Sequence, residues 1–297
     1  MRLKNLTSCR ILAFSLIFIL TSCTQEKNQR SKPLVVSTTT LMKDLVDTLW
    51  GDKVESLSLM GPGVDPHLYQ PTAQDLSKLQ DADCVYAHGL HLEGKMVEAL
   101  ESLAKKKKVI IVGHSLNAEK LVNFNGSIDP HTWFDPELWI ETAQFLNQNP
   151  PVAGLKGDQA LERFSKDVRS IYEKYKKDFQ EIPKEKRVLI TSHDAFNYLG
   201  RFFSIEVQGI QGMSTDSEVG VKRIEELIAM IKQKKIPSIF SETSVSSRSI
   251  DKLISESGAK SGGVLYSDAL GPIGSGAEHY TGMLEHNLKT IYEGLNK

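Results

Sequence analysis

The stretch that decides the fold lies near the middle of the chain, where residues 158–179 read DQALERFSKDVRSIYEKYKKDF. Its apolar residues recur at steps of three and four, which places them along one face of an α-helix. Prolines stand on both sides, at Pro150, Pro151 and Pro183. We therefore predict one long amphipathic helix, assigned as a linking helix at 152–185, that joins two parts of the chain rigidly. The apolar positions are Leu161, Phe164, Val168, Ile171, Tyr172, Tyr175 and Phe179.

On both sides of this helix, short apolar and β-branched runs alternate with amphipathic segments. Such alternation is typical of βαβ units and of a mainly parallel sheet. Two sets of runs predict two α/β lobes, at residues 34–151 and 186–297. The predicted strands are 34–37, 54–60, 84–87 and 108–112 in the first lobe, and 187–192, 205–209, 237–241 and 263–266 in the second. The clearest further helices are predicted at 41–50, 72–80 and 219–234.

The N-terminus has the features of an export signal. Three basic residues precede an apolar run at 11–20, and small residues lead from it to Cys23. This run is too short to span a bilayer, which needs about 20 residues, but it suits a secretory signal. The sequence LTSC at 20–23 looks like a bacterial lipobox. We predict a signal peptide at 1–22, a lipid on Cys23 and a polar tether at 23–33; the alternative is an ordinary signal peptide with an unmodified cysteine.

Composition narrows the classes of function. The formal net charge of the 297-residue chain is −1, and removing the three basic residues of the signal gives −1 − 3 = −4. This charge does not suit a nucleic-acid partner, and the one basic cluster, at 105–108, is predicted to be a solvated helix end. Beyond Cys23 the only cysteine is Cys84, within a predicted strand, where a small core residue is expected. Without disulfides, the mature chain must depend on its hydrophobic core.

Four polar residues lie at or near the outgoing ends of predicted sheet segments: His67, His131, His193 and Asp268. Open α/β sheets bind their ligands at these ends. Two of the four come from each predicted lobe, so they would converge in the cleft if the lobes face each other. They are the candidate site residues.

The residue types suit a metal ion. Imidazole nitrogen favours zinc and other late first-row ions, and a carboxylate extends the site toward manganese. A closed set of four protein ligands is typical of a structural or carrier site, because catalytic zinc usually keeps a position open for water. We find no glutamate on a predicted strand beside these histidines that would serve as a general base. The pattern therefore favours capture of a metal without turnover.

The tripeptide Asp-Pro-His occurs twice, at 65–67 and 129–131. Proline restricts the backbone on both sides and so directs the next side chain. We expect Asp65 and Asp129 to accept a hydrogen bond from the second ring nitrogen of the histidine that follows, as is usual around metal-bound imidazole. The alternative is two ordinary turns, in which Asp-Pro is common.

The remaining histidines fit ordinary roles. His88 and His91 follow the third predicted strand, where they line either the cleft or a structural loop. His279 and His286 lie seven residues apart in the last predicted helix, as surface or packing residues. His88 and His91 have no carboxylate partner in the sequence around them, which favours the structural role for that pair.

Four stretches, spread in order over about two hundred residues, resemble one known family: GPGVDPH at 61–67, DPHTWFD at 129–135, SHDAF at 192–196 and SDALG at 267–271. The chain is similar to the cluster A-I solute-binding lipoproteins, the zinc- and manganese-binding family of ABC importers. The resemblance implies two lobes joined by one helix, and implies that the four candidates are the metal ligands. It also implies a monomer that carries one Zn²⁺ or Mn²⁺ to a membrane permease and its ATPase.

Two features bear on the choice of metal and point in opposite directions. Manganese-specific relatives often carry glutamate where this chain has His193, which favours zinc. Dedicated zinc relatives often carry a long His/Asp-rich loop in the first lobe. In this chain, residues 113–127 contain a single histidine, His114, and a single acidic residue, Glu119, which disfavours such a zinc protein. The prediction is therefore an exported lipoprotein that captures zinc or manganese outside the membrane. The alternatives are a surface adhesin with a structural metal site and a metallohydrolase.

Overall fold

A computed structural model describes residues 30–124, 126–216 and 219–297. The predicted signal peptide, Cys23 and most of the predicted tether lie outside these residues. Lys32–Lys297 form one compact unit. Within the described ranges, no helix combines the length and the apolar character needed to cross a bilayer.

The first lobe is built on a parallel sheet of four strands in the order β2-β1-β3-β4. The two central strands, β1 and β3, are buried along their whole length, as expected for parallel strands covered on both faces. Cys84 begins β3 and is buried, as predicted. The strands are Leu34–Ser37 (β1), Glu55–Ser58 (β2), Cys84–Ala87 (β3) and Val109–Ile111 (β4), and the helices between them are Thr40–Trp50 (α1), Ala73–Asp81 (α2) and Val97–Ala104 (α3).

A short antiparallel hairpin that the sequence did not predict follows, and one helix then closes the first lobe. The hairpin has only two residues in each strand, which leaves no periodicity to detect. Its strands are Asn123–Phe124 (β5) and Ser127–Ile128 (β6), and the helix is Pro136–Gln148 (α4).

The second lobe has two parallel strand pairs, β7 with β8 and β9 with β10, and β7 packs against β9. This is the predicted mainly parallel arrangement. The strands are Val188–His193 (β7), Glu206–Gln211 (β8), Ser238–Glu242 (β9) and Lys260–Leu265 (β10). The helices are Asn197–Phe203 (α6), Val221–Lys234 (α7), Arg248–Ser257 (α8) and Tyr280–Leu295 (α9).

The predicted long helix is present as Asp158–Glu181 (α5). Its apolar face is buried against helices of both lobes, α1 and α4 on one side and α6 and α9 on the other. The Tyr172 hydroxyl donates to the carbonyl of Phe134 at 2.9 Å, and the Tyr175 hydroxyl donates to Glu285 at 3.0 Å. One helix therefore joins two α/β lobes, which confirms the predicted fold class, although this helix is shorter at both ends than the predicted linking helix at 152–185.

The basic cluster at 105–108 follows α3, and Lys105, Lys106 and Lys108 are exposed, as predicted for a solvated helix end, whereas Lys107 differs. The ammonium group of Lys107 donates to the carbonyls of Leu79 at 3.0 Å and Gln80 at 2.6 Å. These carbonyls lie at the C-terminus of α2, where a lysine side chain satisfies orphan acceptors. Part of the cluster thus holds α2 in place.

Gly294 on α9 is required by close packing against Phe240 on β9. A Cβ atom at Gly294 would lie 2.5 Å from Cζ of this fully buried ring. We expect Gly294→Ala to lower the free energy of unfolding by about 1–3 kcal/mol, since an overpacked core forces shifts. Gly212→Ala is the control, because no described atom lies within 4 Å of a Cβ atom placed at this exposed loop position. Thermal unfolding checks this, and a Gly294→Ala protein as stable as the control would contradict it.

Candidate metal centre

The structure brings the four candidate side chains together between the lobes. His67 lies in the loop after β2, and His131 immediately precedes a short 3₁₀ turn ahead of α4. His193 is the last residue of β7, and Asp268 follows β10. One ligand atom from each residue can be chosen so that all four lie within 4.8 Å of one another, and all four residues are buried.

The separations among three of the four ligands, His131, His193 and Asp268, are close to those in a tetrahedral metal site. Nε2 of His131 lies 3.2 Å from Nε2 of His193 and 3.3 Å from Oδ1 of Asp268. Nε2 of His193 lies 3.4 Å from Oδ2 of Asp268. Tetrahedral zinc with bonds of about 2.0–2.2 Å separates its ligand atoms by about 3.3–3.6 Å. The spacing therefore fits a divalent transition-metal ion.

Three buried atoms of the four ligand side chains lack a hydrogen bond among the described residues. One of them, Nδ1 of His193, faces away from the other ligands and lies 2.6 Å from Oε2 of Glu242. The other two are Nε2 of His67 and Oδ1 of Asp268, although Oδ1 has the His131 ion-pair contact. Buried polar atoms are rarely left unsatisfied, and a bound ion is one explanation for such a pair. The donor set of three imidazoles and one carboxylate suits that ion.

Asp129 takes the position expected for it. Its Oδ1 lies 2.7 Å from Nδ1 of His131 and also accepts from the His131 amide at 2.9 Å. Its second oxygen accepts from the side-chain amide of Asn197 at 3.0 Å. This contact orients the ring of His131 so that Nε2 faces the centre.

Asp65 does not take the position expected for it. Its Oδ1 accepts from the backbone amide of His67 at 2.8 Å, and its Oδ2 accepts from the Thr215 hydroxyl at 2.5 Å. Within the described residues, the carboxylate makes no hydrogen bond to the His67 ring. Aspartate often bonds the amide two residues on, and that local turn prevails here over a contact with the ring.

The expectation that no strand glutamate lies beside the histidines is wrong. Glu242 ends β9, is buried, and places Oε2 at 2.6 Å from Nδ1 of His193. Its Oε1 accepts from the His193 amide at 2.9 Å. Glu242 thus contacts the nitrogen of His193 that faces away from the other ligands, so it orients this ring. Its place at the end of a predicted parallel strand was the available signal in the sequence.

His193 and Asp268 each favour the charged form of the other. Burial favours the neutral ring, but the carboxylates of Glu242 and Asp268 outweigh it and raise the pKa of His193 well above its usual value. Burial opposes ionisation of Asp268 too, yet the charge of His193 and bonds from both neighbouring histidines hold its pKa well below the usual range. His67 differs, since burial lowers its pKa to about 4.

The other histidines lie outside the ligand cluster. The Nε2 of His88 lies 2.6 Å from the carbonyl of Pro130, and its ring packs edge-on against Trp133 at 5.1 Å, so its role is structural. His91 is exposed. His279 contacts Asp44 at 2.8 Å, and His286 contacts the carbonyl of Val264 at 2.9 Å, as packing or surface residues would.

Two α/β lobes, one connecting helix and a buried cluster of three histidines and one aspartate define a solute-binding protein for a metal cation. Comparison with known proteins agrees. The family model described as zinc-uptake complex component A, periplasmic (ZnuA), matches residues 35–294. The chain therefore belongs to the ZnuA family.

Characterised relatives match over almost the whole chain. The manganese-binding lipoprotein MntA of Bacillus subtilis (strain 168) is 37% identical over 293 residues, which cover 94% of this chain and 95% of the relative. The zinc-binding protein TroA of Treponema pallidum (strain Nichols) is 36% identical over 274 residues, 89% of each chain.

Solved structures give the same result. A structure of the periplasmic zinc-binding protein TroA from Treponema pallidum superposes with a TM-score of 0.85 at 35% identity, covering 89% of this chain and 99% of that one. The chain is thus a substrate-binding component of an ABC importer for metal, and not an enzyme. A permease and an ATPase are its implied partners.

Proposed function

We propose that this protein captures one zinc or manganese ion through His67, His131, His193 and Asp268 and delivers it to its permease. The supporting observation is the convergence of four buried ligand atoms within 4.8 Å. Two relatives with nearly equal sequence identity to this chain are named for different metals, one for manganese and one for zinc. The proposal therefore includes both ions.

The arrangement favours capture over hydrolysis. Four protein side chains close the centre, whereas a hydrolytic zinc needs an open position for water. The nearby glutamate, Glu242, contacts the far nitrogen of His193 and not the interior of the cluster. Each proposed ligand therefore holds or releases the cargo ion and none transfers a proton to a substrate.

We further propose that the mature protein is a monomer attached to a membrane by lipid on Cys23, facing the periplasm or the cell exterior. Relatives named lipoproteins support this placement. The proposed organisation is a signal peptide at 1–22, a tether at 23–33, lobes at 34–151 and 186–297, and a linking segment at 152–185.

Metal affinity should fall as the pH falls, with the decline beginning at a higher pH than an ordinary histidine would give. Burial alone would lower the pKa of His193, but Glu242 and Asp268 raise it well above the usual value of about 6.5. The metal needs a neutral ring, so protons compete with it below this raised pKa. Chelator competition from about pH 5 to pH 9 measures the effect. An affinity that stays constant across neutral pH would contradict this expectation.

Delivery is tested in cells that lack this protein. Plasmid-borne wild-type protein should restore accumulation of radioactive zinc or manganese, and His67→Ala exported to the same level should not. His286→Ala is the matched control, because this histidine contacts the carbonyl of Val264 and lies outside the ligand cluster. Wild-type protein that leaves uptake unchanged would contradict the proposed function and favour the adhesin alternative.

A further inference from the structure

His67 is held differently from the other three ligands. The rings of His131 and His193 contact Asp129 and Glu242 through their Nδ1 atoms. Oδ2 of Asp268 accepts from the Ser244 hydroxyl at 3.0 Å. The ring of His67 packs against the rings of His131 and His193 but makes no hydrogen bond within the described part of the chain, so the hydrogen bond that fixes this residue is made by its backbone amide.

That backbone is held by one carboxylate. Asp65 accepts from the His67 amide at 2.8 Å through Oδ1, and Pro66 between them restricts the chain. The second oxygen of Asp65 accepts from the hydroxyl of Thr215, which is 7% exposed and lies 150 residues further on, in the second lobe. Asp65 therefore connects the His67 loop to the opposite side of the cleft.

His67 also lies between the cluster and an open cavity. A cavity of about 650 Å³ is lined by residues of both lobes, among them Leu90, Ile111, Met213 and Ser214. His67 lines this cavity, whereas the other three ligands are not part of its wall. Among the four ligands, the side chain of His67 is therefore the one that borders this cavity.

We propose that Thr215 is a positioning residue, whose hydrogen bond to Asp65 holds the His67 loop across the cleft and slows release of the metal. This inference rests on the proposed function. When the bond is present, His67 and the second lobe move together. When it is absent, the His67 loop can swing away on its own, and the ion loses one ligand toward the cavity. Thr215 acts on the dissociation rate because the bond must break before the loop moves.

The test is the rate at which zinc leaves the purified protein for an excess of chelator. Thr215→Val keeps the side-chain shape and removes the hydroxyl. Losing a hydrogen bond to a charged group should raise the release rate about tenfold or more, because that bond must otherwise break before release. We expect zinc release about tenfold faster, with an unchanged association rate and one zinc per chain. Thr215→Ser, which keeps the hydroxyl, should release zinc at the wild-type rate.

A matched control separates positioning from stability. Thr142→Val also removes a buried hydroxyl, one that donates at 3.0 Å to Leu138 within α4. This variant should release zinc as the wild type does. Equal release rates for wild type and Thr215→Val, or a serine variant as fast as the valine variant, would overturn the proposal.

Hydrogen exchange of the His67 amide in metal-free protein tests the contact without reference to transport. This amide donates to Asp65, so losing the Thr215 bond should speed its exchange several-fold while amides of β1 keep their rates. Unchanged exchange at His67 would overturn the positioning role. A wild-type protein that binds neither zinc nor manganese, while Thr215→Val still shows the faster exchange, would overturn the proposed function and leave the contact confirmed.

Discussion

His67→Ala should lose at least about 100-fold in metal affinity, because removing even an outer partner of a metal-bound histidine typically costs 10–100-fold. The same change should leave the metal-free protein folded. The His67 ring makes no hydrogen bond among the described residues, and its removal strands no buried charge. Zinc titration against a competing chelator and thermal unfolding without metal measure the two effects separately.

His193→Ala provides the contrast. It should also lose the metal, but it leaves the buried Glu242 carboxylate without its cationic partner. Breaking a buried pair in this way costs about 3–5 kcal/mol of stability. If His67→Ala unfolds as readily as His193→Ala, the site is structural, and the account of a cargo site is wrong.

Glu242→Gln should lower metal affinity by about 10–100-fold at neutral pH, the usual cost of losing the partner of a metal-bound histidine. Glutamine is close in shape and can still accept from the His193 amide, but it carries no charge. The pKa of His193 should therefore fall, and the pH range in which protons compete with the metal should move downward. Calorimetric zinc titration at several pH values records both changes.

Glu206→Gln is the control for this substitution. Glu206 begins the neighbouring strand β8 and pairs with Lys234 at 2.6 Å on the surface. Exposed ion pairs contribute little, so its loss should leave affinity and its pH profile unchanged. A Glu242→Gln protein that behaves like Glu206→Gln would show that Glu242 does not orient His193.

The fold was largely predictable because its elements carry strong apolar patterns. Helix α5 begins at the first residue of the periodic stretch at 158–179 and extends only two residues further, to Glu181, since one apolar stripe runs along its length. Strand β10 was predicted at 263–266 but spans Lys260–Leu265. Its first half contains Gly262, where a Cβ would lie 2.4 Å from the ring of Phe240. Packing against that ring requires a glycine. Because glycine interrupts the run of apolar and β-branched residues that predicts a strand, the first half of β10 was missed.

The candidate site was predictable in its residues but not in its connections. Strand ends and the family resemblance together indicated the four candidates. Glu242 was missed because its role depends on β9 lying beside β7, and the contact joins residues 49 positions apart. The link from Asp65 to Thr215 joins residues 150 positions apart, and no local pattern encodes it.

The most direct test of the central claim is a metal competition on residues 24–297. The protein is stripped with chelator and equilibrated with equal concentrations of zinc and manganese, and bound ions are counted by native mass spectrometry. We predict one ion per wild-type chain and none in His67→Ala or His193→Ala, and the ion retained identifies the preferred metal. A wild-type chain that holds no stoichiometric metal, or that keeps it after both substitutions, would contradict the account.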